Sequence, residues 1–242
     1  NVGKEPRIVS GIVTACESST RRADGRAVLR LRLEPTLAAL KHRSNWRIFH
    51  DASVFEVLTK MLSPLGITFD WRVLRERDRK PHRSQRGERD LAFMHRMLAE
   101  EGLCYWFEQH EAGEHLVFAD HVGAYGRVAG IESLRHLGLD DASAAEEASL
   151  VGLSKNARLR PRRQTVRLYD WSRPSHTPSS AAGGEGESAT DPTSLLAIHA
   201  FDHSAEGLTS MPAPARERLF ESRRNASVAT GVTLCAQVAP GH

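Results

Sequence analysis

Residues 87–120 read GERDLAFMHRMLAEEGLCYWFEQHEAGEHLVFAD, and this stretch decides the fold. Leu91, Met94 and Leu98, with Phe93 and Met97 beside them, recur at the spacing of a helix with one buried stripe. A helix is therefore predicted over Glu88 to Glu101, with Gly102 where a left-handed C-terminal cap is needed. Leu103 to Glu108 and His115 to Asp120 then read as two strands of a hairpin whose loop carries Gly113. Glu100 and Glu101 oppose the helix dipole at that end. They are expected on a solvated helix terminus, or, alternatively, against a basic partner surface.

Upstream, Ser53 stands three residues before Glu56, the spacing of a capping box. Val54, Val57, Leu58, Met61 and Leu62 form the apolar stripe of the helix it would start, and Pro64 and Gly66 end it. Ile67, Phe69, Trp71 and Val73 alternate as a strand. Residues 72–89 carry eight Lys or Arg against three Asp or Glu, and read as a solvated loop or a protein contact. At the start, Arg7 to Cys16 and Ala27 to Leu33 read as a hairpin turning at Asp24-Gly25. Pro35 opens a short helical turn with Leu37 and Leu40, and Trp46 to Phe49 is a brief apolar stretch.

Downstream, residues 121–162 give weaker signals, with an acidic, Ala-rich stretch at 140–148. Gln164 to Trp171 and Leu195 to Phe201 are expected to be strands. The Pro-, Gly- and Ser-rich residues 172–194 between them read as a long surface loop or linker. A helix over Pro212 to Asn225, burying Leu219 and Phe220, and a strand over Val228 to Val238 complete the reading. The class is α+β: strand-rich ends, expected to be antiparallel barrels or sandwiches, around a central helix–strand–helix–hairpin unit. The helices at 53–62 and 88–101 are expected to form the packed core of that unit.

Composition narrows the functions. The chain has 242 residues, 33 basic and 30 acidic side chains, 40% hydrophobic residues and a net charge of +3. That balance is globular, and too weakly basic to imply nucleic acid. No apolar run approaches the roughly 18–20 residues of a membrane-spanning helix, and no signal peptide is read at the start. Cys16, Cys104 and Cys235 are far apart and form neither a zinc pair nor a disulfide framework.

Chemistry-bearing motifs are also missing. There is no GxSxG elbow, no Walker A loop and no HExxH. Gly183, Gly184 and Gly186 lack the strand and helix that a phosphate cradle needs. His199 and His203 sit in a strand-like run that would hold them about 13 Å apart, so ordinary polar histidines are expected there. His110, His115 and His121 flank the hairpin and are read the same way. The basic run at 72–89 has only Trp71 as an aromatic companion, so nucleic acid is not expected as a partner. No catalytic, cofactor-binding or metal residue is assigned, and no cofactor is expected.

The runs RIFHDASVFEVL, LGITFDWRV and the stretch from Gly87 to Asp120 resemble the hub region of VgrG proteins, the type VI secretion spike, also known as Rhs-element Vgr proteins. Residues 88–107 are the most specific part. RLYDW, ARERLFESRRNAS and GVTLCAQVAPGH extend the likeness over nearly the whole chain. Two features depart from the pattern: Arg86 near a place that is often Tyr, and the heavy basic run. The β-helical needle that follows the hub in the family is absent from this sequence, which also starts without Met, so a hub fragment is expected.

The resemblance implies three parts: a partial first barrel with a short helix at 1–48, an inserted α/β unit at 49–125, and an incomplete second barrel at 126–242 with a flexible loop at 172–194. It implies a homotrimer acting as a non-enzymatic symmetry adaptor between a hexameric inner tube and a membrane-piercing needle. Its other partners would be baseplate components and, through the needle, a tip protein and effectors, with membrane contact only through the needle. Assembly would be cytoplasmic, followed by secretion into the target cell or medium. A phage or tailocin baseplate hub is the alternative, and an effector enzyme such as a cell-wall hydrolase is the alternative of another class. With barrel walls missing, Leu29, Leu31 and Leu33 are expected to be poorly covered, with a tendency to aggregate or to disorder at both ends.

Overall fold

The computed structural model describes residues 8–18, 28–127, 131, 133–138, 149–169, 174–175, 177–184, 195–202, 213–233, 235 and 238–241. The first hairpin forms from β1 (Ile12–Ser18) and β2 (Leu29–Glu34), antiparallel with a bulge between Val13 and Ala15. Its expected turn at Asp24-Gly25 lies outside the described residues. A 3₁₀ turn over Thr36–His42 follows Pro35 and buries Leu37 and Leu40, as the sequence predicts.

The central unit is built on β3 (Ser44–Ala52), α1 (Val54–Leu62), β4 (Phe69–Arg72), β5 (Lys80–Arg89), α2 (Asp90–Glu101), β6 (Cys104–His110) and β7 (Gly113–Ala119). The capping box forms in full: Glu56 N–H donates to the Ser53 hydroxyl at 3.3 Å, and Ser53 N–H donates to the Glu56 carboxylate at 2.8 Å. Gly102 takes the left-handed conformation (φ +66°), and the Leu103 N–H donates back to the Leu98 carbonyl. β4 pairs parallel with β7, and β6 pairs antiparallel with β7. Both helices lie against this sheet. Val54, Val57, Leu58, Met61, Leu62, Phe93, Met94, Met97 and Phe118 are at most 1% exposed and form one core with Leu37 and Leu40. Leu91 is half-buried at its edge.

Two expectations for this region change. Trp46 to Phe49 is the middle of a nine-residue strand, and the basic run is no loop over its second half. Lys80–Arg89 pairs antiparallel with β3, from Ser44 opposite Arg89 to Ala52 opposite Lys80. The reason lies in what β5 buries: its inward face carries Arg83 and Gln85, so no hydrophobic alternation marks it as a strand. β3 also runs across the expected boundary at 48/49.

The remaining strands are β8 (Arg135–Leu137), β9 (Ser149–Ala157), β10 (Arg163–Leu168), β11 (Ser179–Gly183), β12 (Ala197–Asp202) and β13 (Ser227–Thr233), with α3 (Ala213–Arg223) between the last two. The described strands form small sheets in the orders β11-β10-β12 and β13-β9-β8. β10–β12 and β8–β9 are parallel, while β10–β11 and β9–β13 are antiparallel. The fold is α+β and rich in sheet.

Part of the expected 172–194 loop is therefore strand β11. Its small residues carry little strand propensity, and it is the backbone pairing to β10 that makes it a strand. On α3, Ala215 and Leu219 are buried, but Phe220 is 62% exposed with the Arg216 guanidinium over its ring. α1 buries the adjacent Met61 and Leu62, but the buried stripe of α3 is narrower: it takes Ala215 and Leu219 and leaves Phe220, one position on, outside it. Asp170 to Trp171, the 140–148 stretch and His203 lie outside the described residues.

Candidate assembly surface and the ion-paired unit behind it

Two carboxylates organise the polar side of the central unit. Asp90 is the first residue of α2 and fully buried. Its Oδ1 accepts from Arg47 Nη2 at 2.7 Å, Gln85 Nε2 at 2.8 Å and Asn45 Nδ2 at 3.3 Å, and Arg43 Nε lies 3.2 Å from Oδ2. Burial pushes its pKa up, but these donors and the two arginines outweigh burial and hold it below the ordinary 3.8. A carboxylate at a helix N-terminus also meets the favourable end of the dipole. Asp90 thus ties α2 to both strands of the β3–β5 pair.

Glu101 does the same at the other end of α2. Arg83 Nη2 donates to its Oε1 at 2.7 Å, Lys80 Nζ lies 3.4 Å from the same oxygen, and Arg77 Nε donates to its backbone carbonyl at 3.1 Å. Burial raises the Glu101 pKa, and Lys80 and Arg83 bring it below 4.5. Arg77 Nη2 also reaches Asp120 at 3.1 Å, and Arg75 pairs with Glu217 of α3. Gly102 makes room for that residue, because a Cβ there would stand 2.9 Å from Glu217 Cγ. The expected solvated helix end is therefore a buried ionic junction. The basic surface that Glu101 meets belongs to this chain's own 72–89 run.

The hairpin histidines do not converge. His115 Nε2 lies 2.9 Å from Asp70, while His110 stacks edge-on to His115 with ring centroids 5.9 Å apart. The His121 ring lies beside Gly123 instead. Among the described residues no group of three or more His, Cys, Asp or Glu is placed to hold a metal ion. Gly183 ends strand β11 with positive φ, and a Cβ there would clash with the Arg162 carbonyl at 2.1 Å, so its glycine serves close backbone packing.

Among the described residues, two of the apolar surfaces left open lie on the two-stranded sheets. Across β1 and β2, Val13 pairs with Leu33, Cys16 with Leu31 and Ser18 with Leu29, so all of these point to one face. Val13, Leu29, Leu31 and Leu33 on that face are 46–63% exposed. The opposite face carries Glu17 and Arg30, 3.4 Å apart. On β3, Trp46 and Ile48 are 79% and 61% exposed. The poor cover expected for Leu29, Leu31 and Leu33 is what the structure has. Sequence reading did not single out Trp46 and Ile48, because a short apolar stretch does not show which of its residues face out.

The base of the first hairpin is fixed to the central unit. Ser10 N–H donates to Gln109 at 2.9 Å, and Thr36 N–H donates to Glu114 at 2.6 Å. An ion-locked body thus presents a strand pair whose apolar face and edges have no cover among the described residues. Such a pair is suited to being completed by other protein.

Comparison with known proteins agrees with this reading. The chain is 29% identical to the type VI secretion system spike protein VgrG2a of Pseudomonas aeruginosa, over 99% of this chain and 28% of that protein. It is 43% identical over 93 residues to the actin cross-linking toxin VgrG1 of Vibrio cholerae, covering 37% of this chain and 8% of the toxin. The chain thus spans less than a third of either relative. The tail protein of Neisseria meningitidis MC58 shares the fold, with a TM-score of 0.58 at 14% identity over 93% of this chain and 64% of that one. The model of the phage tail baseplate hub (GPD) matches residues 1–242, and the chain belongs to that family.

Proposed function

We propose that this chain is the hub portion of a type VI secretion spike, working as a structural adaptor between tube and needle and not as an enzyme. The observation that carries this is the family match over all 242 residues, and the apolar hairpin face on an ion-locked body supports it. Load transfer needs rigid bodies joined through large packed interfaces. Asp90 and Glu101 supply rigidity at both ends of α2, and Val13, Leu29, Leu31 and Leu33 supply surface that a neighbour would bury. In this reading three copies assemble, and a hexameric inner tube and baseplate components are further partners. Assembly takes place in the cytoplasm, and the spike leaves with the contracting machine.

The parts of the chain follow the same reading, with the inserted unit starting at Thr36. Leu37 and Leu40 belong to its core, and β3 pairs with β5 inside it. The toxin name of the Vibrio relative stays with that protein, of which this chain spans 8%. The test is made in the cell that encodes the chain: Leu31→Glu is introduced into the gene, and inner-tube protein is measured in the medium. Loss of tube protein from the medium is expected. Unchanged export with the variant present at normal level would overturn the proposal.

A further inference from the structure

We propose that His50 and His82 form a chelating site for a divalent transition-metal ion on the outer face of the β3–β5 pair. The two residues face each other across the strands, 32 positions apart in sequence, and both are exposed. Their Nδ1 atoms lie 3.1 Å apart, with ring centroids at 5.1 Å and ring planes at 84°. A metal–imidazole bond is about 2.0–2.1 Å, so one ion bound to both nitrogens at a 3.1 Å separation would subtend an angle of about 98°, between octahedral and tetrahedral values. Two planes at near right angles meet in one line. In-plane bonding to both Nδ1 lone pairs would place the ion on that line.

The protons allow it. A neutral imidazole carries one ring proton, and with that proton on Nε2 of both residues, both Nδ1 lone pairs are free for the ion. Without metal, one Nδ1–H donates to the other Nδ1. No third His, Cys, Asp or Glu joins among the described residues. Asp51, next in the chain, is held by Arg79 at 3.1 Å. The remaining coordination positions therefore go to water or to a donor from another molecule. Imidazole pairs suit copper, nickel and zinc, and affinity rises towards copper.

The test is calorimetric titration of the full chain with Ni(II) and Zn(II) at pH 7.5, beside His50→Ala, His82→Ala and His110→Ala. Loss of an outer-shell partner alone costs about tenfold in metal affinity, so loss of one of two direct ligands is expected to weaken Ni(II) binding by at least about tenfold. His110→Ala is expected to leave that binding unchanged. His50→Gln and His82→Gln repeat the measurement with polar side chains of similar size, should either alanine disturb the strand pair. The proposal is overturned if the single variants bind as tightly as the unaltered chain. It is equally overturned if the unaltered chain binds no more tightly than a variant carrying both His50→Ala and His82→Ala.

Discussion

Arg83 Nη2 donates to Glu101 Oε1 at 2.7 Å, and the two side chains are only 3% and 10% exposed. The pair joins a strand to the last turn of a helix. Leaving one partner of such a pair buried alone costs about 3–5 kcal/mol. Arg83→Met is therefore expected to lower the free energy of unfolding by about 3 kcal/mol, the low end of the range, because Lys80 still reaches Glu101. Urea denaturation measures this, and a loss under about 1 kcal/mol would mean that the junction is not structural.

Acid sensitivity follows from the same groups. Asp90, Glu101 and Asp120 all have folded pKa values below their ordinary ones of 3.8, 4.5 and 3.8. The unfolded chain therefore takes up protons first. Their contribution is full above those ordinary values and is lost as pH falls through the lower folded ones. Glu217 runs the other way: burial raises its pKa, so its protonation favours the folded state as pH falls towards 4.5. Among the described carboxylates the lowered ones, Asp70 and Glu108 included, outnumber Glu217, so stability is expected to fall below pH 4.5. Asp90→Asn should be less stable at pH 7 and lose less between pH 7 and pH 3. A slope as steep as that of the unaltered chain would remove Asp90 from the argument.

The start of α1 gives a local test. Ser53→Ala removes the acceptor for Glu56 N–H, and losing such a cap costs about 0.5–2 kcal/mol. The substitution is expected to lower the thermal midpoint in a calorimetric scan, and Ser53→Asp to restore most of the loss.

The exposed hairpin face predicts behaviour in solution. Leu29→Glu combined with Leu31→Glu is expected to raise the concentration at which the chain precipitates, with an unchanged circular dichroism spectrum. Both side chains are exposed on one face of β2, so neither carries the fold. A collapsed spectrum would show that this face is packed in the isolated chain.

Much of the central unit was legible because its signals are local. The Ser53–Glu56 cap, the stripe from Val54 to Leu62 and the Gly102 stop depend on residues close in sequence and formed as read, while the hairpin read at 103–108 and 115–120 formed with a tighter turn, over 104–110 and 113–119 with Gly113 in its second strand. The β3–β5 pair was not legible, because most of its inward residues before Ala52 are polar, Phe49 excepted: Arg47, Arg83 and Gln85 are held by hydrogen bonds to Asp90, Glu101 and the backbone of Ala52. A period-two search for apolar residues cannot find a face made of arginine and glutamine. What remained readable was an imbalance. An excess of arginine at 72–89 precedes a helix that ends in two glutamates against its own dipole, and the two halves of that oddity answer each other. Strand β11 was hidden by composition, since alanine, serine and glycine signal a loop unless a partner strand is known.

Native mass spectrometry of the full chain across a concentration series tests the central claim most directly. The account predicts a species at three times the 26.8 kDa chain mass that grows with concentration and is lost with Leu31→Glu. A monomer at every concentration, unchanged by the substitution, would contradict it.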